Sequence, residues 1–158
     1  MKVRRHVVLF RPEVHWNTGN IGRTCLGTGA YLHLIRPLGF SLNEKQVRRA
    51  GLDYWSGVRL SVWDSFDIFL QQMRPQKEEI MLFAKKGSRS FWSLSWPRRA
   101  FLIFGSETAG LPQSLFSRYP DAVYHIPVLQ EIRCLNLSTA VGIVLYESLR
   151  TYGLPHGW

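Results

Sequence analysis

Three short, uninterrupted apolar runs constrain the fold of this chain more than any other feature of its sequence. They cover residues 6–10, 80–84 and 101–104, with the sequences HVVLF, IMLFA and FLIF. Runs of this length without polar alternation are typical of strands that are buried on both faces of a parallel sheet. Stretches with helical character lie between and around them, at residues 20–28, 44–50, 65–73 and 113–118. The alternation predicts an α/β fold, an open and mostly parallel sheet with helices on both faces.

The last long segment gives the clearest helix. Apolar residues recur there with a period near 3.6, at Leu137, Ala140, Val141, Val144, Leu145 and Leu149. Asn136 precedes them and is suited to cap the helix N-terminus. Ile143 extends the apolar stripe to a second face, so part of this helix is expected to contact a partner. A helix fully buried within one protomer is the alternative.

Length and charge limit the class of protein. A chain of 158 residues, 46% of them apolar, fits a single domain over residues 1–158. Its 20 lysines and arginines against 11 aspartates and glutamates give a charge of +9, which favours a polyanionic partner. RNA, DNA and acidic membranes all meet that condition. Basic pairs such as Arg4-Arg5 and Arg98-Arg99 are spread along the chain and are expected on the folded surface.

The sequence carries no signal for a membrane or for metal binding. It has no run of 18 apolar residues and no small-residue cleavage site near its start, so a cytoplasmic location without membrane contact is expected. Cys25 and Cys134 lie far apart, and neither has a Cys or His at ligand spacing. Neither a zinc site nor a disulfide is therefore expected.

A glycine-rich segment, NTGNIGR at residues 17–23, follows the first apolar run. Glycine costs about 1 kcal/mol relative to alanine inside a helix, so several glycines indicate close approach of another backbone or of a ligand. The glycine fingerprints of phosphate-binding loops cannot be read here. The alternative is tight packing of a helix on the sheet, with Asn17 as a cap and Arg23 as a solvated charge.

A second candidate loop is FGSETAGLP at residues 104–112, where the third apolar run ends. Ligands of open α/β sheets bind at the carboxyl ends of the strands, and a loop bounded by Gly105 and Gly110 suits a small molecule there. An ordinary turn, with Glu107 solvated or near the N-terminus of the next helix, is equally compatible with the sequence.

The third segment combines IPVL at residues 126–129, interpreted as a strand end, with RCLNLS at residues 133–138. It leads into the capped last helix. Its backbone groups could bind the edge of an adenine while Leu129 and Leu135 cover the faces. The alternative is that Asn136 and Ser138 only cap the helix.

In this order and spacing, the three segments resemble the motifs of the SPOUT RNA methyltransferases, over about residues 8–153. The sequence RRAGLDY at residues 48–54 is similar to a signature of the TrmL (YibK) subgroup, which methylates the ribose 2′-hydroxyl of the tRNA wobble nucleotide, a pyrimidine at position 34. The resemblance implies a C-terminal trefoil knot, a homodimer, and S-adenosylmethionine bound in the knot. It implies no metal.

The resemblance also implies the residues of the site. Those expected to bind the cofactor are Phe83, Gly105, Glu107, Ile126, Cys134, Leu135 and Asn136. Arg23 is expected to orient the ribose hydroxyl and a phosphate, because its guanidinium is almost always protonated and cannot readily act as a base. Asn17 and Ser138 are expected to align it, and Tyr146 to line the same site.

For RNA binding, phosphate contacts are expected from Arg48, Arg49, Lys86 and Arg133. Trp16 or Trp55 is a candidate for stacking on an unpaired base, although core packing is the default for a tryptophan. Because one small protomer offers little surface for a tRNA, a site shared by two protomers is expected. The alternatives are a SPOUT enzyme acting on another RNA, such as ribosomal RNA, and a catalytically silent RNA-binding module of the same fold.

Overall fold

Seven parallel strands form the sheet in this computed structural model, which describes residues 2–43, 53–155 and 157. The strands are β1 (Arg4–Phe10), β2 (Tyr31–Ile35), β3 (Arg59–Trp63), β4 (Ile80–Phe83), β5 (Arg89–Ser90), β6 (Arg99–Phe104) and β7 (Val123–His125). They are arranged in the order β3-β2-β1-β6-β4-β7-β5, and every pairing between them is parallel. The prediction of an α/β fold with an open parallel sheet is confirmed.

Among the residues that the structure describes, four α-helices cover the two faces of the sheet. They are α1 (His15–Thr28), α2 (Phe66–Met73), α3 (Gln113–Arg118) and α4 (Leu137–Leu149). The core on one face contains side chains of α1 and α4, such as Ile21 and Val144, whereas the other contains those of α2 and α3, such as Phe69 and Leu115. Helices on both faces are thus confirmed, and the helix predicted at residues 44–50 lies outside the described residues.

Alternation within the strands explains the two-faced core. In β1, Val7 and Leu9 point to the face of α1 and α4, while Val8 and Phe10 point to the face of α2 and α3. The three predicted apolar runs are β1, β4 and β6, which are the three central strands of the sheet. β2, β3, β5 and β7 were not predicted as strands, and the run at residues 126–129 is not one, because β7 already ends at His125.

Two strands that come late in the sequence lie between earlier strands in the sheet. β6 lies between β1 and β4, and β7 lies between β4 and β5. The carboxyl ends of β1, β6, β4 and β7 therefore lie side by side, and the three predicted segments follow β1, β6 and β7. The trefoil knot itself stays a prediction from the resemblance.

A buried arginine joins the end of α4 to the start of the sheet. Arg5 is only 1% exposed, so the expectation that it lies on the surface is wrong. Its Nε donates to Ser148 Oγ (2.9 Å) and one terminal nitrogen to Ser148 O (2.7 Å), while the other donates to Pro97 O and Arg98 O. Burial lowers the pKa of Arg5 to about 10, so it stays protonated at neutral pH. The carbonyl of Ser148 is at the negative end of the α4 dipole, which favours this cation.

Two histidines are buried in the sheet as neutral side chains. Trp63 Nε1 donates to His33 Nδ1 (3.0 Å), so the proton of His33 is on Nε2 and is donated to His6 Nδ1 (2.9 Å). Burial lowers the pKa of His33 to about 4, and burial together with His33 lowers that of His6 to about 3. These histidines are packing residues. Within the described ranges, no group of three or more His, Cys, Asp or Glu is placed to hold a metal ion.

Candidate active site

Hydrogen bonds connect the three segments that the sequence singles out. Asn17, the third residue of α1, donates from Nδ2 to Glu107 Oε1 (3.4 Å) and accepts at Oδ1 from Asn136 Nδ2 (3.1 Å). Asn136 in turn accepts from the Ser138 hydroxyl at 2.6 Å. We call Glu107, Asn17, Asn136 and Ser138 the inter-segment network. It joins residues up to 119 positions apart at the carboxyl edge of the sheet.

Glu107 is anchored to the first helix. Its carboxylate accepts from the backbone N–H of Glu13 (2.8 Å) and of Val14 (3.1 Å), at the N-terminus of α1. A negative charge is favoured there, because helix dipoles point their positive end to the N-terminus. Glu107 thus lies at the N-terminus of α1 and not at that of α3, the helix that follows it in sequence. The contact of Glu107 with the cofactor stays a prediction.

A second set of hydrogen bonds, donated in the opposite direction, joins the same two loops. Glu13 accepts from the Thr108 hydroxyl at 2.7 Å and from the Thr108 N–H at 3.3 Å. The Thr108 hydroxyl, then the Ser106 hydroxyl and then the backbone N–H groups of Thr108 and Ala109 hold the pKa of Glu13 below its usual value. Sequence reasoning missed Glu13 and Thr108, since no local pattern indicates contacts between side chains 95 residues apart.

Asn136 and Ser138 begin the last helix as predicted. The Asn136 side chain caps α4 by accepting from the backbone N–H groups of Ser138 (2.9 Å) and Thr139 (3.4 Å). Asn136 therefore caps the helix, but capping is not its only contact, because its amide nitrogen also donates to Asn17. Asn17 itself lies inside α1 and is buried, so it is not the N-cap of that helix.

Gly105 is required by the shape of its own loop. A Cβ on Gly105 would overlap the backbone of Gly110 and Leu111. A side chain at this position would therefore collide with its own loop and would not project into space for a ligand. Within this loop Ser106 and Gly110 form a bridge, closed by a hydrogen bond from Gly110 N to Ser106 O (3.1 Å).

Gly105→Ala is expected to lower both stability and cofactor affinity, because the loop must open to admit one methyl group. Overpacking of this kind costs about 1–3 kcal/mol. Gly27→Ala is the matched control, since a Cβ on Gly27 meets nothing within 4 Å and should stabilise α1. Thermal unfolding and calorimetric titration with S-adenosylmethionine measure the two effects. A Gly105→Ala protein with unchanged melting temperature and affinity would contradict the assignment.

The other predicted cofactor residues differ in their surroundings. Phe83 is buried and stacks on Phe104 with ring centroids 5.0 Å apart, so its side chain is part of the core. Ile126 is half-buried against the same core face. Leu135 is half-buried and Cys134 is an exposed free thiol. In the loop between Ile126 and Cys134, the apolar side chain of Leu129 is 78% exposed.

Arg23 is not part of the inter-segment network of its own chain. It follows Asn17 by six residues in α1, which places it about 9 Å further along the axis and about 120° around it. The side chain is exposed, and its guanidinium carbon lies 5.7 Å from the centre of the Tyr54 ring. Tyr146 is also exposed, at the solvent side of α4. One chain therefore brings Asn17, Asn136 and Ser138 together but leaves Arg23 and Tyr146 apart from them.

The predicted RNA contacts are basic side chains in different settings. Lys86 is exposed, donates to Gln113 Oε1 (2.9 Å), and lies 3.9 Å from the centre of the Phe116 ring. Arg133 is exposed in the loop before α4. Arg48 and Arg49 lie outside the described residues. Across the described part of the chain, no helix has the length and apolar character to cross a membrane.

The two candidate tryptophans are used differently. Trp55 lies against Gly22 of α1 so closely that a Cβ on that glycine would overlap its ring. The missing side chain at Gly22 therefore makes room for the Trp55 ring and not for a backbone or a ligand. Trp16 instead is 63% exposed, beside Asn17 in the first turn of α1.

Comparison with known proteins places this arrangement in context. A model of the SpoU rRNA methylase family matches residues 4–146. A Geobacillus stearothermophilus protein is 47% identical over 148 residues, 92% of this chain and 93% of that protein. An Escherichia coli protein named tRNA (cytidine(34)-2′-O)-methyltransferase is 38% identical over 151 residues, 95% of each chain.

A solved structure that addresses "the 2-OH methylation of C/U34 on tRNA" superimposes with a TM-score of 0.86 at 40% identity, covering 94% of this chain and 95% of the other. An rRNA methyltransferase from Sinorhizobium meliloti with bound AdoMet has a TM-score of 0.82 at 25% identity. This chain aligns over 96% of its length with 58% of that protein.

Proposed function

Because this chain belongs to the SpoU rRNA methylase family, we propose that it transfers a methyl group from S-adenosylmethionine to an RNA ribose 2′-hydroxyl. The substrate we propose is the nucleotide at position 34 of tRNA, a pyrimidine. Relatives at 38–47% identity that cover nearly the whole chain support this choice, since those from Escherichia coli and Burkholderia cenocepacia are named for that reaction. A cytoplasmic location follows from such a substrate.

The inter-segment network is the observation that carries the proposal. It places three polar side chains, Asn17, Asn136 and Ser138, at the carboxyl edge of a parallel sheet, where ligands of such sheets bind. Each comes from a segment that the sequence associates with the methyltransferase motifs. A silent RNA-binding module would need no such arrangement, and titration with S-adenosylmethionine separates the two.

The residues at this edge fit the proposed cofactor. Leu129 and Ile132, both exposed in the loop before α4, offer apolar surface of the kind that covers an adenine. The folded loop from Gly105 to Gly110 would hold the rest of the molecule through its backbone, with Ile126, Cys134 and Leu135 on the other side. When bound, S-adenosylmethionine supplies an electrophilic methyl group.

The protein side chains have to orient the hydroxyl and take up its developing charge. The Ser138 hydroxyl donates its proton to Asn136, so its oxygen lone pairs are left to accept from a ribose hydroxyl. Asn17 holds Asn136 in place and is itself held by Glu107. Arg23 would stabilise the oxyanion and bind a phosphate, because a guanidinium donates in a planar fork. Such positioning supplies a large part of the acceleration in group transfer.

A homodimer would allow Arg23 of one protomer to reach the inter-segment network of the other. Since Arg23 points away from Asn17 of its own chain, we propose that it serves the network of a partner protomer. Ile143 and Tyr146 of α4 are exposed apolar side chains, and α1 packs beside α4 in the core. An isologous contact through this region would cover them and enlarge the basic surface that faces RNA.

Co-expression of an Arg23→Ala chain with a Gly105→Val chain tests the shared site. Each homodimer should be inactive, whereas the purified heterodimer should regain roughly half of the wild-type activity, because one of its two sites is intact. Light scattering at low micromolar concentration checks the dimer. An active monomer, or an inactive heterodimer that is folded, would contradict site sharing.

The function itself is tested by incubating the protein with S-adenosylmethionine and tRNA from a strain that lacks the corresponding gene. The expected product is a 2′-O-methyl group at position 34 and nowhere else. Ribosomal RNA in the same assay tests the alternative substrate. Methylation of ribosomal RNA alone would overturn the tRNA assignment and leave the reaction class intact.

A further inference from the structure

We infer that Trp16 is the platform on which the RNA substrate stacks an unpaired base beside the active site. This inference rests on the proposed function and names a binding residue for it. The observation that supports it is an exposed stripe on α1 formed by Trp16, Asn20 and Arg23. Residues four and seven positions apart lie within about 40° of one another around a helix, so the three side chains share one face.

The stripe combines the groups that bind single-stranded RNA. Trp16 offers an aromatic face, Asn20 an amide, and Arg23 a cation without an ion pair among the described residues. Stacking on an aromatic ring together with a nearby positive charge is the usual way in which proteins hold unpaired bases. Because Trp16 and Arg23 are separated by about 10 Å along the helix axis, they would bind different parts of the RNA.

The position of the ring favours a role in the reaction. Trp16 lies on the same face of α1 as Arg23, the residue assigned to the ribose hydroxyl, and it directly precedes Asn17 of the inter-segment network. His15, itself exposed, contacts the Trp16 ring edge-on, with centroids 4.8 Å apart and planes at 72°. The ring nevertheless stays 63% exposed, so a large part of it is free to stack.

The other tryptophans in the described ranges do not offer this combination. Trp55 is packed against Gly22, Trp63 donates to His33, and Trp96 is buried. Trp92 is 69% exposed but follows β5, the edge strand of the sheet. Four strand spacings separate β5 from β1, about 19 Å at the usual distance. Trp92 is therefore a matched control, equally exposed and remote from the network.

Steady-state kinetics with an anticodon stem-loop RNA test the inference. Trp16→Ala is expected to raise KM for the RNA roughly ten-fold or more, which is the usual range for loss of one stacked base. Trp16→Phe should stay within about three-fold of wild type, because it keeps an aromatic face. Trp92→Ala should have the wild-type KM. Calorimetry should give the wild-type affinity for S-adenosylmethionine in all three variants.

Three results would overturn the inference. An unchanged KM in Trp16→Ala would show that the ring does not bind RNA. Conversion of Trp16→Ala to monomers in light scattering would assign the ring to a contact with a second copy of the chain. A wild-type protein that does not methylate the stem-loop or tRNA removes the proposed function and the inference with it. Wild-type activity with an unaltered KM in the variant removes the inference alone.

Discussion

Replacement of Arg23 by alanine is expected to lower the rate of methyl transfer about 100-fold or more while the affinity for S-adenosylmethionine changes by no more than a few fold. Removal of one group that stabilises a developing oxyanion typically costs 10²–10³ in rate. Arg23 is available for this task, because it is exposed and its guanidinium carbon lies 5.7 Å from the centre of the Tyr54 ring. Its loss should therefore leave the fold intact.

Two variants make the Arg23 test specific. Arg23→Lys keeps the positive charge and removes the planar fork, so partial activity would identify charge as the main contribution. Arg118→Ala removes another exposed arginine, which pairs with Asp67 on the opposite face of the sheet, and should keep the wild-type rate. Single-turnover assays give the rate, and calorimetry gives the cofactor affinity. Wild-type turnover in Arg23→Ala would remove this residue from the mechanism.

Replacement of Arg5 by alanine is expected to lower the free energy of unfolding by about 3 kcal/mol or more. The substitution leaves the carbonyls of Ser148 and Pro97 without their donor, whereas the Arg98 carbonyl keeps the backbone N–H of Arg4. Each unsatisfied buried group costs about 1–3 kcal/mol. It also leaves a cavity, because Arg5 is among the largest fully buried side chains. Arg5 further stacks on Tyr152 at 5.6 Å, close to the C-terminal end of the described chain.

Arg4→Ala is the matched control for Arg5, since the neighbouring side chain is exposed. Urea denaturation at a fixed protein concentration should give a midpoint close to wild type for Arg4→Ala and a clearly lower one for Arg5→Ala. Equal midpoints for the two variants would show that the guanidinium of Arg5 contributes nothing net to stability.

The local sequence was sufficient to predict those elements whose structure depends only on which of their faces are buried. The runs that form β1, β4 and β6 are apolar throughout because both of their faces are covered. The last helix was predicted with its cap at Asn136, since periodicity and capping involve residues only a few positions apart. β2 was missed because His33 interrupts its apolar run, and His33 is buried only because Trp63 and His6 satisfy its nitrogens. β7 was missed because three residues show no period.

The sequence by itself determined the parallel α/β fold, the capped last helix and the three segments that form the candidate site. The tertiary structure alone decided that Asn17 meets Glu107 and Asn136, that Arg5 is buried, and that Trp16 rather than Trp55 is exposed. The reason is physical. Periodicity reports which face of an element is covered, whereas a hydrogen bond between residues 90 to 119 positions apart depends on how the elements pack. No local pattern encodes that packing.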